Sequence, residues 1–362
     1  MKKIFLIFSL FTALSSIVCA QAQGNRALEF AGTIGSSPVT MLLHQTGSTF
    51  TGYYYYTRTQ QPISLSGQDS IANQSIHSIT AVVNGWEEYA ENFLVRITGD
   101  SVTGKWKGKP GAAFQPVRLG VVKTAIAYNM IYRKDTVLLR PKMNDSPMAT
   151  FETSTVDPTG NTPTAVFLRK KLIGDYEANV RGKDLQSTIN TYHTRNIDGY
   201  LKDNREASDS EILDIPYSFN LDELSGTFLM YRSARLLVLS QQLYAYSGGA
   251  HGNYQTSYTP VDLRTNTIIR LKDVLTPQGI KALEQLLADQ FRADRGLSPT
   301  DPLTEGGTFE DEIKPNENIY VTETGIRFSY APYEIGSYAT GQIDVFIPFS
   351  RLKQWVKPAY KF

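Results

Sequence analysis

Residues 236–253 read LLVLSQQLYAYSGGAHGN. The apolar run Leu236–Tyr246 has the length and composition of a long β-strand, and the glycines that follow it are typical of a wide turn or bulge. Four shorter strand patterns flank this run, at residues 217–221, 227–233, 254–262 and 267–271. Neighbouring strands of this kind predict a meander, and therefore an antiparallel sheet.

Helical patterns lie on both sides of these strands. Apolar residues recur every three to five positions over residues 167–200, with Gly182 as a break. A second helix is predicted to begin at Thr276-Pro277 and to end at Gly296, because proline suits the first turn of a helix and glycine suits its end. Strands and helices are segregated, so this part of the chain is predicted to be an α+β module with two or three helices.

Residues 27–120 have a different pattern. Short β-branched and aromatic runs alternate with glycine-containing turns, which predicts an antiparallel β-meander or small barrel. The run Tyr53–Tyr56 could be a stacking surface for a ligand, but we expect a two-faced strand whose alternate rings face core and solvent. The length of 362 residues suits two domains, and the change of pattern places them at residues 23–121 and 122–362.

Composition excludes several classes of protein. The chain is 41% hydrophobic, 11% aromatic and 20% charged, which is typical of a globular protein. Without Lys2 and Lys3, 34 basic residues stand against 35 acidic ones, so no nucleic-acid partner is expected. A single cysteine excludes an internal disulfide framework, and no two of the four histidines lie within five residues of each other. We predict no metal site and no cofactor.

The first 22 residues have the features of a signal peptide. Lys2 and Lys3 precede an apolar stretch that is too short to span a bilayer, and Ala20-Gln21-Ala22 is a small-x-small cleavage pattern. We therefore expect an exported protein, periplasmic or extracellular, that begins at Gln21 or Gln23 and has no transmembrane helix. Lipid anchoring at Cys19 is the less favoured alternative, because Val18 fits poorly before a lipidated cysteine.

Two segments carry the candidate functional residues. The first, residues 244–253, has three glycines around His251, and the second, residues 330–341, is an aromatic connection with one carboxylate, Glu334. We expect the two segments to pack together, with Glu334 accepting hydrogen bonds from backbone N–H groups that the glycines leave exposed. The residues expected to bind a ligand or to organise these loops are Tyr246, Gly248, Gly249, His251, Gly252, Tyr333, Glu334 and Tyr338.

The pairing of Ser-Gly-Gly-Ala-His-Gly (residues 247–252) with Pro-Tyr-Glu-Ile-Gly-x-Tyr-Ala-x-Gly (residues 332–341) and Ile-Pro-Phe-Ser (residues 347–350) resembles the RsiV-like domain family. That family includes the extracytoplasmic domain of lysozyme-sensing anti-sigma factors and the accessory domain of some peptidoglycan deacetylases. The resemblance covers about residues 125–357 and implies an α+β fold and, in the best-understood members, binding of lysozyme. The family's sigma-binding segment, transmembrane helix and deacetylase domain have no counterpart in this sequence, so neither sigma-factor sequestration nor deacetylation is expected.

These observations predict a binding module of the cell envelope that is not an enzyme. Its expected ligand is a lysozyme-like protein or a peptidoglycan glycan, since aromatic surfaces suit both sugars and proteins. The alternative is a hydrolase of peptidoglycan or another envelope polymer, with His251 as the base and Glu334 orienting it. The oligomeric state cannot be predicted from these patterns.

Overall fold

The computed structural model describes residues 25–69, 77–83, 86–109, 111–124, 126–177 and 183–362. The predicted signal peptide, with Cys19, and the predicted helix break at Gly182 lie outside the described residues.

The N-terminal part of the chain, up to Val121, is an eight-stranded antiparallel barrel, which confirms the predicted meander or small barrel. Strand β1 pairs with both β2 and β8, and this double pairing closes the barrel. Gly32 permits the closure, because a Cβ at this position would lie 2.1 Å from the carbonyl oxygen of Arg118 on β8. The strands are β1 (Arg26–Ile34), β2 (Ser37–Thr46), β3 (Thr49–Tyr56), β4 (Ile63–Asp69), β5 (His77–Val83), β6 (Trp86–Ile97), β7 (Ser101–Lys107) and β8 (Gln115–Val121).

A second group of strands continues the same sheet beyond the barrel. The first of them, β9, pairs with the start of β1 through Asn129 and Tyr128, so the barrel and the following sheet are hydrogen-bonded together. All neighbours are antiparallel except β10 and β11, which are parallel because helices connect them. The strands are β9 (Tyr128–Leu138), β10 (Met148–Pro158), β11 (Leu221–Arg232), β12 (Leu236–Tyr246), β13 (Asn253–Asp262) and β14 (Thr267–Ile268).

Six helices and a small sheet complete the described part of the chain. Helices α1 and α2 pack on one face of β9 and β10, and α5 packs on β17 of a three-stranded antiparallel sheet. The helices are α1 (Pro163–Tyr176), α2 (Leu185–Asp203), α3 (Asp209–Asp214), α4 (Leu271–Val274), α5 (Pro277–Arg295) and α6 (Phe349–Leu352). The small sheet contains β15 (Ile319–Val321), β16 (Gly325–Tyr330) and β17 (Ile343–Pro348). The predicted α+β fold is confirmed.

The predicted ends of α5 are also confirmed. The Thr276 side chain accepts a hydrogen bond from the backbone N–H of Gly279, and Pro277 occupies the first turn. Gly296 ends the helix with a φ of 68°, a conformation that glycine adopts without strain.

The outer wall of the barrel is part of a second core. Tyr54 lies inside the barrel, as expected, but Tyr53 and Tyr55 are also buried, so the expectation that alternate rings face solvent is wrong. The Tyr53 hydroxyl hydrogen-bonds the Ser240 hydroxyl at 2.9 Å, and the Tyr55 hydroxyl donates to the Arg232 carbonyl oxygen at 2.7 Å. The outward rings face the second sheet instead of water.

Two side-chain amides join the second sheet to the small sheet. Asn318 accepts from the backbone N–H of Tyr258 and donates to the carbonyl oxygen of Thr256, both at 3.0 Å. The side-chain oxygen of Gln342 accepts from the backbone N–H of Thr256 at 2.8 Å. These bonds satisfy outward-facing backbone groups of Thr256 and Tyr258 on β13 and hold the β16–β17 connection beside the β12–β13 turn.

Candidate functional site

The glycine segment is the turn between β12 and β13. Gly248 has a φ of 74°, and a Cβ there would lie 2.5 Å from the carbonyl oxygen of Ser218, so no larger residue fits without movement. The Tyr246 hydroxyl donates to the Gly249 carbonyl oxygen at 3.1 Å and accepts from the Gly249 N–H at 3.3 Å. The Tyr246 hydroxyl therefore holds this turn together.

The second segment is the connection between β16 and β17, and Glu334 closes it. Its carboxylate accepts from the Ala331 backbone N–H at 2.9 Å and from the Asn316 side-chain amide at 2.9 Å. Tyr333 has a φ of 70°, and its backbone N–H donates to the Gly336 carbonyl oxygen at 2.9 Å. A positive φ is unusual for a bulky residue and is favoured only where the surrounding structure enforces it.

The two segments meet through aromatic rings. The His251 imidazole stacks on the Tyr338 ring, with centroids 4.0 Å apart and an angle of 23° between the planes. Tyr333 and Tyr254 each lie 5.8 Å from Tyr338, measured between ring centroids. We call these four residues the loop platform. The expected packing of the segments is present, but the expected contact between Glu334 and the glycine N–H groups is wrong, because the Glu334 carboxylate accepts from Ala331 and Asn316 instead.

The proton position on His251 follows from its hydrogen bond. Nδ1 lies 2.8 Å from the Gly252 carbonyl oxygen. A carbonyl oxygen only accepts, so the neutral ring carries its proton on Nδ1 and leaves Nε2 as an acceptor. The imidazole is held by this bond and by its stacking on Tyr338. The hydrogen bonds of His251 and Glu334 go to different partners, and within the described part of the chain no hydrogen bond joins the two side chains.

Sequence reasoning did not select two tyrosines of this surface, which are Tyr254 of the loop platform and its neighbour Tyr244. Tyr244 and Tyr254 face each other across β12 and β13, and each is 37% exposed. Gly252 makes room for the Tyr244 ring, because a Cβ there would lie 2.5 Å from that ring. Their equal distance along the sequence from the glycine turn could have identified them, because it places them opposite each other in a hairpin.

Comparison with known proteins gives a partial match. Residues 272–350 match the family described as "Protein of unknown function (DUF3298)". A DUF3298 domain is found there. It spans α5, the small sheet and the connection that carries Tyr333, Glu334 and Tyr338, whereas His251 lies outside the matched residues.

Two crystal structures of DUF3298 proteins are similar to the chain. A member of the family from Bacteroides fragilis NCTC 9343 is 24% identical, with a TM-score of 0.59, and the match covers 64% of this chain and 94% of that one. A family protein from Pseudomonas aeruginosa PAO1 is 16% identical, with a TM-score of 0.46, and the match covers 64% of this chain and 95% of that one. The first likeness shows a shared fold. No curated protein sequence matches the chain.

A second polar cluster lies outside the DUF3298 domain, between α2 and the sheet. His193 Nδ1 lies 2.7 Å from the Asp135 carboxylate, His193 Nε2 lies 2.9 Å from the Thr153 hydroxyl, and that hydroxyl lies 3.0 Å from the Ser225 hydroxyl. The order of groups is that of a nucleophilic triad. His193 and Thr153 are 0% and 1% exposed, so a substrate cannot reach them. Burial lowers the pKa of His193, and the cluster fixes α2 to the sheet.

Within the described ranges, no group of three or more His, Cys, Asp or Glu side chains is arranged to hold a metal ion. No helix among those residues combines the length and the apolar character needed to cross a bilayer.

Proposed function

We propose that this protein is an exported, non-catalytic binding module of the cell envelope, and that it binds its ligand at the loop platform. Tyr333 is the observation that carries the proposal. It is 53% exposed although its ring is large and apolar, and it is held at a positive φ beside the stacked pair His251–Tyr338. A strained backbone that presents an aromatic ring to solvent is typical of a functional surface.

The ligand is a peptidoglycan glycan or a lysozyme-like protein, in keeping with the resemblance to RsiV-like domains. Aromatic faces bind the apolar faces of sugar rings and also form the anchors of protein interfaces. Export is part of the proposal and rests on the signal-peptide pattern of residues 1–22, with lipid anchoring at Cys19 as its alternative.

The hydrogen bonds of the two candidate catalytic residues favour binding over hydrolysis. A general base needs its partner within hydrogen-bonding reach, but Glu334 is engaged by Ala331 and Asn316, and His251 by Gly252. Both side chains hold their loops in position. Under the hydrolase alternative, Glu334 would have to orient His251. The hydrogen bonds of Glu334 go instead to Ala331 and Asn316.

Incubation of the purified protein with labelled insoluble peptidoglycan, and separately with a lysozyme, tests the proposal. We expect the protein to be retained by one of them without release of soluble fragments, and Tyr333→Ala to reduce retention at least tenfold. Phe114→Ala is the matched control, because Phe114 is an exposed aromatic residue of the barrel. Release of labelled fragments would support the hydrolase, and retention by neither probe would refute the proposal.

A further inference from the structure

The face of the second sheet that points away from α2 carries exposed side chains at one end. Thr153 points towards α2, where it contacts His193, so residues of the opposite parity point the other way. Exposed side chains of that opposite face include Tyr132, Leu224, Tyr244 and Tyr254, which are 37–38% exposed. Leu224, Tyr244 and Tyr254 lie side by side on three adjacent strands. We call this surface the open face.

The wall of the barrel stands over the other end of this face and leaves a cleft of about 240 Å³. Thr51, Ser64 and Ser66 contribute from the barrel, and Phe228 and Gln242 contribute from the sheet. The Tyr53 hydroxyl forms part of the lining, where it accepts from the Gln242 amide at 3.0 Å. The lining thus includes hydroxyls, one amide and the rings of Tyr53 and Phe228, and none of the described residues in it carries a carboxylate, ammonium or guanidinium group.

The cleft and the loop platform are parts of one continuous surface. Gln242 lies two residues before Tyr244 on the same face of β12, a separation of about 7 Å along a strand. Tyr244 is opposite Tyr254, and the Tyr254 ring is 5.8 Å from Tyr338 in the loop platform. A chain-like ligand on Tyr338 can therefore continue over Tyr254 and Tyr244 to the cleft.

We propose that the cleft is a second sugar subsite, which makes the ligand a glycan chain long enough to run from the loop platform to the barrel. This inference rests on the proposed function and names the ligand class for it. The cleft is smaller than the roughly 300–1,000 Å³ of sites for drug-sized molecules, and this size suits one sugar ring.

The chemistry of the lining favours an uncharged sugar ring, such as the N-acetylglucosamine of a peptidoglycan glycan, over other occupants. A sugar ring offers hydroxyls to Ser64, Ser66 and Gln242 and an apolar face to an aromatic ring. An ionised ligand would leave its charge unpaired in this cleft, at a large cost in free energy. A folded protein partner would cover about 800 Å² of surface, and its contacts would not depend on so narrow a cleft.

Binding of a disaccharide and an octasaccharide of peptidoglycan glycan, measured by isothermal titration calorimetry with the full chain, tests the inference. We expect the octasaccharide to bind at least tenfold more tightly than the disaccharide. Ser66→Trp fills the cleft and should lower octasaccharide affinity to the disaccharide value without changing disaccharide affinity. Ser36→Trp, in the exposed turn before β2 at the far end of the barrel, is the matched control and should change neither.

The possible failures are distinguishable. Ser64→Trp fills the same cleft and serves as the second variant if thermal unfolding shows that Ser66→Trp does not fold. If folded cleft variants bind the octasaccharide as the wild type does, the second subsite is refuted while glycan binding at the loop platform stands. If neither oligosaccharide binds the wild-type protein but a lysozyme does, the glycan inference is refuted and the protein ligand of the proposed function is supported. Binding of none of the three probes refutes both.

Discussion

His44 makes the junction between the barrel and the second sheet sensitive to acid. The imidazole lies on β2, is 2% exposed, and accepts at Nε2 a hydrogen bond of 3.2 Å from the backbone N–H of Leu229 on β11. Burial lowers the pKa of His44 to about 3. Protonation would remove the acceptor and place a charge in a site where the Phe228 ring is 5.2 Å away. We predict that the protein loses stability as the pH falls below the unfolded-state pKa of His44.

The direction and size of the effect follow from linkage. Because the folded-state pKa lies below the unfolded value of about 6.5, the unfolded chain binds the proton more tightly, and the contribution of neutral His44 is complete above pH 6.5. One pKa unit corresponds to about 1.4 kcal/mol, so His44 alone should lower the free energy of unfolding by about 2 kcal/mol at pH 5. The loss should continue down to about pH 3.

Urea unfolding followed by circular dichroism at pH 7 and pH 5 measures this difference. In His44→Gln the side-chain oxygen can still accept from Leu229, but the residue does not titrate, so the variant should lose about 2 kcal/mol less than the wild type between the two pH values. His251→Gln is the matched control, because His251 is exposed and lies outside the junction. Equal losses in the wild type and His44→Gln would refute the argument.

Further expected outcomes concern the connection between β16 and β17 and the N-terminus. Tyr333→Gly should raise the free energy of unfolding by about 1 kcal/mol, because glycine adopts a φ of 70° without strain, while retention of the ligand falls; a lower melting temperature would contradict this. Glu334→Gln keeps one acceptor oxygen and should lower the melting temperature less than Glu334→Ala does, with calorimetry as the test. Mass spectrometry of the exported protein should show a start at Gln21 or Gln23, and a diacylglyceryl mass on Cys19 would contradict ordinary cleavage.

Local patterns were sufficient where local physics controls the structure. Proline and glycine placed α5 correctly, and the turn spacing predicted the barrel. The alternating direction of side chains along a strand could not reveal the environment of Tyr53 and Tyr55. Side chains alternate with a period of two both in a strand with two buried faces and in a strand with one face in solvent. The second core forms only when residues more than 170 positions away, such as Arg232, fold against the barrel.

In the candidate site, too, local motifs predicted some features, and distant residues determine the others. The two motifs correctly predicted that the loops pack together, but the contact is a ring stack between His251 and Tyr338. The side chain that donates to Glu334, Asn316, comes from another part of the chain. The cluster of Asp135 and His193 could not be found by spacing, because 58 residues separate the two and only the sheet brings them together. Distances along the sequence carry no information about such pairs.

The amides of Asn318 and Gln342 have a consequence for the order of assembly. They satisfy backbone groups of β13 that a further strand would otherwise pair, and they come from the last fifty residues of the chain. During synthesis, the barrel and the second sheet are complete before these two residues emerge, so the part of β13 before its pairing with β14 at Val261 then presents a bare strand edge. Bare edges recruit other strands and promote aggregation. The C-terminal segment thus protects the sheet from pairing with other chains. A chain that ends before Asn318 would keep an unpaired, aggregation-prone strand edge.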